Sequence, residues 1–193
     1  MIVIGITGSI GCGKTYLAKI INSLGFATYN PDFWVRDFYK KASFLSLIKD
    51  NFPQTFNHEG KFDKRKLRDI VFNDNTQLKK LEKLTHPLIN KKLKNIIKKV
   101  SVKEDIIFFD VALLYEIGWD KYCDFVIVAD VSDEIQKQRV MKRDNITEED
   151  FNKIAATQTS KEYKKFKADY VIDTSLSYGI NKVQLIKFIQ EVL

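Results

Sequence analysis

Gly8-Ser9-Ile10-Gly11-Cys12-Gly13-Lys14-Thr15 decides the fold, because it completes the phosphate-loop pattern G-x-x-x-x-G-K-[ST]. The apolar run Ile2-Val3-Ile4-Gly5-Ile6 precedes it and a helical pattern follows, the strand–loop–helix setting that the pattern requires. Gly8 and Gly13 let the backbone wrap closely, since glycine tolerates positive φ. The loop N–H groups, those of Ser9, Ile10, Gly11 and Cys12 among them, then turn inward toward phosphate oxygens. The helix beginning near Lys14 adds its positive end. Lys14 supplies a charge for the β- and γ-phosphates, and Thr15 supplies a hydroxyl for Mg²⁺. The motif implies a nucleoside triphosphate with magnesium. It leaves open what accepts the phosphate.

Outward from the loop, apolar residues at Leu17, Ile20, Ile21 and Leu24 predict a helix stopped by Gly25. Phe26 to Tyr29 reads as a short strand, and Asn30-Pro31-Asp32 as a turn in which Asp32 caps the next helix. Phe33 to Asp50 is helical with a break near Ser43. Two short helices follow over residues 62–72 and 76–84, and Thr85-His86-Pro87 separates them from a third that runs to about Val100. Ile106 to Phe109, Phe125 to Ala129 and Tyr170 to Ile172 are apolar runs with the look of buried parallel strands, each followed by an aspartate. Ser132 to Met141 is helical, and Thr147 is placed to cap a helix reaching Thr159. In the last helix, Ile180 to Val192, the spacing of Val183, Ile186, Ile189 and Gln190 predicts one buried face. Strands alternating with helices imply an α/β fold built on a doubly wound parallel sheet. The helical block at residues 60–100 exceeds a simple crossover and reads as an inserted subdomain.

The bulk properties exclude other classes. At 193 residues and 45% hydrophobic content, the chain makes one domain with a sizeable core. No stretch reaches the roughly 18 uncharged apolar residues that a membrane span needs. No basic segment precedes the first apolar run, which argues against a secretory signal. Cys12 and Cys123 form no metal-spaced set and read as reduced thiols of a cytoplasmic protein. The net charge of +7 suits polyanionic ligands. Much of it lies on a solvated helix face, where Lys91, Lys92, Lys94, Lys98 and Lys99 alternate with Ile89, Leu93, Ile96 and Ile97. No nucleic-acid-binding module is recognisable, and a monomer is expected.

Ligands of such sheets sit beyond the carboxyl ends of the strands. Asp32, Asp110 and Asp130 fall there by position. Asp130 reads as a helix cap or turn former, since Ser132 and Asp133 start a helix directly after it. For Asp110 a turn role and a functional role balance, and Asp32 is favoured as functional.

Nearly the whole chain resembles the dephospho-CoA kinase family. The opening from Ile4 to Thr15 is similar to the start of that family. Asn30-Pro31-Asp32 with Arg36 resembles its "D-A-D…R" segment, and Gly60 through Phe72 its "G-x-L-D-R-x-x-L…V-F" block. His86-Pro87-Leu88-Ile89 resembles "H-P-x-I", and Asp110-Val111-Ala112-Leu113-Leu114-Tyr115-Glu116 resembles "D-V-P-L-L-F/V-E". Arg139 with Arg143-Asp144 resembles the lid, Gln158 a conserved glutamine, and Ala168 to Asp173 the "A-D-x-V-I-D-N" ending. The resemblance implies ATP-dependent phosphorylation of the ribose 3′-hydroxyl of dephospho-CoA. It implies Asp32 as the base, Arg139 and Arg143 as arginines of a lid over residues 136–160, and Arg36, Lys64, Arg65, His86, Asp110 and Leu114 on the acceptor side.

Elementary chemistry agrees with these roles. An alcohol must lose its proton during phosphoryl transfer, so a carboxylate in reach gains about 10²–10⁴-fold. Guanidinium groups stabilise the charge spread over the transferring oxygens. Arg139 and Arg143 lie one helical turn apart and so face one side. Several positions depart from the pattern: Asn30 for aspartate, Lys64 for arginine, Ala112 for proline and Thr174 for asparagine. Asn30 has no basicity, which leaves proton acceptance to Asp32. His86 reads either as a substrate contact or as a helix cap, and His58 as a loop residue. Tyr115 and Glu116 border the acceptor side, while packing accounts better for Leu113 and Leu114. The alternatives are another P-loop kinase of nucleosides or nucleoside monophosphates, or a nucleotide-binding switch that does not catalyse.

Overall fold

Five short apolar runs pair into one parallel sheet. The computed structural model describes residues 1–100 and 104–193, apart from the side chains of Pro31, Asp32, Val35, Phe72, Asn75 and Val100. The strands are β1 (Ile2–Thr7), β2 (Thr28–Tyr29), β3 (Ile106–Asp110), β4 (Phe125–Asp130) and β5 (Tyr170–Asp173), in the spatial order β2-β3-β1-β4-β5. All pairings are parallel. The strands fall on the expected runs, except that β2 keeps only Thr28 and Tyr29 of the expected Phe26–Tyr29, while β1, β3, β4 and β5 extend one residue further to include Thr7, Asp110, Asp130 and Asp173. Ile6 stands opposite Asp110, and Asp130 opposite Asp173. The carboxylates therefore line one edge of the sheet, together with the loop that leaves β1.

The chain divides into two compact units, Met1–Asn30 with Lys103–Leu193, and Pro31–Val102. The first holds the whole sheet with helices α1 (Lys14–Ser23), α6 (Asp133–Asp144), α7 (Glu148–Ala156), α8 (Lys161–Lys167) and α9 (Tyr178–Val192). Its core contains Ile4, Ile6, Leu17, Ile20, Ile21, Phe108 and Ile127, all fully or nearly fully buried. On α9 the buried face is Asn181, Leu185, Phe188 and Ile189, and Val183 is 65% exposed. This corrects the expected face. Leu185 and Phe188 sit on the stripe with Ile189, and Val183 falls outside it.

The second unit holds α2 (Pro31–Phe38), α3 (Ala42–Asn51), α4 (Lys64–Asn73) and α5 (Asn75–Val100). It begins at Pro31 and not at residue 60, because rings tie its first two helices to the segment that follows them. Phe38 and Tyr39 pack on Phe44, and Tyr39 stacks on Phe62 with ring centroids 5.4 Å apart. The expected break at Thr85-His86-Pro87 is absent, and α5 runs through it for 26 residues. Thr85, Ile89 and Leu93 are buried at a spacing of four, so one face continues across the proline. Lys83 and Pro87 are both exposed residues, and Pro87 offers no N–H to the Lys83 carbonyl one turn before it. His86 consequently lies mid-helix and caps nothing.

Restoring the missing donor should stabilise this helix. Pro87→Ala is expected to raise the unfolding free energy by about 1–3 kcal/mol, measured by chemical denaturation. An unchanged or lower value would show that the proline shapes α5.

Candidate active site

The loop between β1 and α1 is fixed by side chains from outside it. Gly13 lies in the left-handed region at φ 87°, directly ahead of α1, and its carbonyl accepts from the N–H groups of Tyr16 and Leu17. A Cβ at Gly13 would stand 2.5 Å from Thr174 Oγ1, so a side chain is excluded by conformation and by space. Ile10 is held through both of its backbone polar groups. Its N–H donates to Gln158 Oε1 at 2.8 Å, and its carbonyl accepts from Gln136 Nε2 at 2.8 Å; contrary to expectation, this N–H does not face a phosphate, nor does that of Cys12, which donates to the Ser9 carbonyl at 3.0 Å. The Cys12 carbonyl accepts from Thr174 Oγ1 at 2.8 Å. A planar trans peptide holds each C=O opposite the next N–H, so the N–H groups of Gly11 and Gly13 point away from Gln136 and Thr174.

A cavity of about 730 Å³ opens at this loop, lined by Gly8, Ser9, Ile10, Gly11, Gly13, Lys14 and Thr15. Arg139, Arg143 and Gln158 contribute from the other elements. Cys12 differs from its neighbours. It is 1% exposed and packs in the core, and burial pushes its thiol above the ordinary range. Burial likewise raises the Cys123 thiol to about 12. Both cysteines are free, and neither offers a reactive thiolate near neutral pH.

Lys14 forms an ion pair with Asp110, and both side chains are largely buried. Asn30 Nδ2 donates to the other Asp110 oxygen at 3.1 Å. Asp110, at the end of β3, thus holds both the loop lysine and the residue that closes β2. On α6, Arg139 donates twice to Thr174, through Nη1 to Oγ1 at 2.9 Å and Nη2 to the carbonyl at 3.0 Å. Arg143 is more exposed and bonds Asp144 through Nε and Nη2. Glu116 fixes the segment that carries Gln158. It accepts from the Thr159 N–H at 2.8 Å and pairs at 3.0 Å with Lys164, whose side chain is fully buried.

The structure revises several expectations. Asp130 is no cap, because Ser132 caps α6 through the Ile135 N–H and Asp130 pairs with Lys161 and Lys165 of α8. Leu114 is fully buried beside Gly5 and belongs to the core, not to a substrate surface. Leu113 is 40% exposed, so packing does not account for it. Asp32 lies inside the first turn of α2, which begins at Pro31, so it is not the cap; its side chain lies outside the described residues. Arg36, Lys64, Arg65 and His86 belong to the second unit, where Arg36 lies 5.8 Å from the Phe33 ring and Lys64 5.5 Å from the Tyr39 ring. Sequence reasoning gave Gln136 no role, and nothing in its surroundings signals one. Gln158 stood out only through the resemblance, and Thr174 only as a departure from it.

The dephospho-CoA kinase family profile matches residues 2–178. The chain belongs to the dephospho-CoA kinase family. A dephospho-CoA kinase of Bartonella henselae is 37% identical over 194 residues, covering 100% of this chain and 99% of that one. Among solved structures, a Thermus thermophilus protein matches with a TM-score of 0.88 at 26% identity, over 100% of this chain and 97% of the other. The dephospho-CoA kinase from Campylobacter jejuni matches with a TM-score of 0.70 at 28% identity, over 98% and 96%. A kinase of this family uses ATP, in agreement with the phosphate loop.

Gly13 is the most constrained position of the loop. Gly13→Ala forces a left-handed alanine, a cost of about 1–3 kcal/mol, and a clash with Thr174. The variant is expected to bind ATP at least about tenfold more weakly in titration calorimetry, on the same grounds. Wild-type affinity would show that the loop tolerates a shift at this point.

Proposed function

We propose that this chain transfers the γ-phosphoryl group of ATP to the 3′-hydroxyl of the ribose of dephospho-CoA, giving coenzyme A and ADP. The observation that carries the reading is a phosphate loop with Lys14 poised on Asp110, in a chain of the dephospho-CoA kinase family. In the reaction the 3′-oxygen bonds the γ-phosphorus, the bond from that phosphorus to the β,γ-bridging oxygen breaks, and the hydroxyl proton passes to Asp32.

Lys14 leaves Asp110 to meet the β- and γ-phosphates, whose charge replaces that of the carboxylate. Arg139 and Arg143 line the cavity and stabilise the charge that develops on the transferring oxygens. Thr15 and Asp110 offer a hydroxyl and a carboxylate at the loop. Among the described residues no cluster of three metal-ligating side chains exists. Such a sparse oxygen set fits Mg²⁺, which keeps waters and binds through one or two protein oxygens plus phosphates. When bound, Mg²⁺ neutralises phosphate charge. Residues 136–160 act as the lid that excludes water, since water competes with the ribose hydroxyl. Arg36, Lys64, Arg65 and His86 serve the acceptor. Asn30 cannot accept the proton, which supports Asp32, two residues on, as the base. Among the described residues no helix is long and apolar enough to cross a membrane, and the two free thiols fit the reducing cytoplasm.

Purified protein with ATP, Mg²⁺ and dephospho-CoA should yield the 3′-phosphorylated product, with nucleosides and nucleoside monophosphates turned over poorly. Asp32→Asn should lower kcat by about 10²–10⁴-fold while KM for ATP stays within about twofold. A folded protein that makes no product, or that prefers a nucleoside, contradicts the reading.

A further inference from the structure

Thr174 follows β5 and is 4% exposed. Its hydroxyl carries a single hydrogen, and chemistry settles where it goes. The Cys12 carbonyl only accepts, so it takes that hydrogen at 2.8 Å. The Arg139 guanidinium only donates, so Nη1 finds a lone pair of the same oxygen at 2.9 Å. The Thr174 carbonyl takes Nη2 at 3.0 Å, and the Thr174 N–H donates to the Asp130 carbonyl at 2.9 Å. Every polar group of Thr174 is thereby engaged. One oxygen joins the phosphate loop to an arginine 127 positions further along the chain.

Two points of attachment fix the plane of the guanidinium, not merely its position. They use two of its five donors and leave three to face a ligand in the cavity that Arg139 lines. A free arginine carries about 2 kcal/mol of side-chain entropy. Here that freedom is lost before nucleotide arrives, so it does not subtract from transition-state stabilisation. The loop and the arginine are also coupled, because the oxygen that accepts from Arg139 also donates to the Cys12 carbonyl and occupies the space a Cβ at Gly13 would need.

We propose that Thr174 is a positioning residue, whose hydroxyl orients Arg139 at the phosphate loop for phosphoryl transfer. The proposal rests on the role of Arg139 given above. A purely structural role for Thr174 would make the same bonds but would act independently of Arg139.

Steady-state kinetics of Thr174→Val, Thr174→Ser, Arg139→Met and the double variant Thr174→Val/Arg139→Met separate the two, with Tm recorded for each. Thr174→Val keeps the shape and removes the donor and the acceptor. It is expected to lower kcat about 10–100-fold with KM for dephospho-CoA within about twofold, as for a misplaced catalytic group. Thr174→Ser keeps the hydroxyl and should retain kcat within about threefold. In the Arg139→Met background, Thr174→Val should lower kcat by less than about threefold, because the group it positions is already gone. Should Thr174→Val fail to fold, Thr174→Ala carries the same expectations. Full loss through Arg139→Met combined with wild-type kcat in Thr174→Val overturns the proposal, and so does a double variant whose losses multiply. Wild-type kcat in Arg139→Met strikes the assignment of Arg139 itself, and the proposal falls with it.

Discussion

An anion-binding loop works only if its amide hydrogens face the ligand, and a peptide chain has no intrinsic reason to hold them so. In this molecule the constraint is met by tying down the opposite ends of the same peptides. Gln136 takes the Ile10 carbonyl and Thr174 the Cys12 carbonyl, which turns the Gly11 and Gly13 N–H groups the other way, while Gln158 holds the Ile10 N–H itself and pins the loop at that point. None of these three residues lies in the loop. They come from α6, from the segment after α7 and from the end of β5, so the loop's shape depends on a correctly assembled sheet. The parallel order β2-β3-β1-β4-β5 delivers all of these strand ends to one edge. Buried Cys12 completes the support from beneath by packing in the core.

The second requirement is charge balance in a largely buried setting. Lys14 and Asp110 neutralise each other, and Asn30 satisfies the remaining Asp110 oxygen without adding charge. A second carboxylate at position 30, about 3 Å from Asp110, would leave two like charges competing for one proton. The amide avoids that conflict. Under the proposed function, a triphosphate would bring its own negative charge, replace Asp110 as the partner of Lys14 and free the carboxylate for the accompanying cation. Glu116 and Lys164 balance charge in the same way behind the segment that carries Gln158.

Much of this was legible from the sequence, for identifiable reasons. Strands buried on both faces are continuous apolar runs, and the loop pattern names its own glycines, Lys14 and Thr15. Capping chemistry is equally local, as Thr147 and Asp150 show with a reciprocal capping box on α7. The misreadings arose where distant contacts override local preference. Pro87 reads as a boundary, yet the stripe Thr85-Ile89-Leu93 carries α5 past it. Asp130 reads as a cap because a helix follows, yet lysines of α8 claim it. Leu114 resembles a site residue but fills the space left by Gly5. Gln136 is one polar residue of a polar helix, and only the fold brings its amide to Ile10.

A crystal structure with magnesium, a non-hydrolysable ATP analogue and dephospho-CoA tests the central claim most directly. The account predicts β- and γ-phosphates against the amides of the Gly8–Thr15 loop, with Lys14 moved from Asp110 onto them. It also predicts that the Gln136, Gln158 and Thr174 bonds to the loop persist. A triphosphate bound away from the loop, or a loop that rebuilds and drops those three bonds when the triphosphate enters, would contradict it.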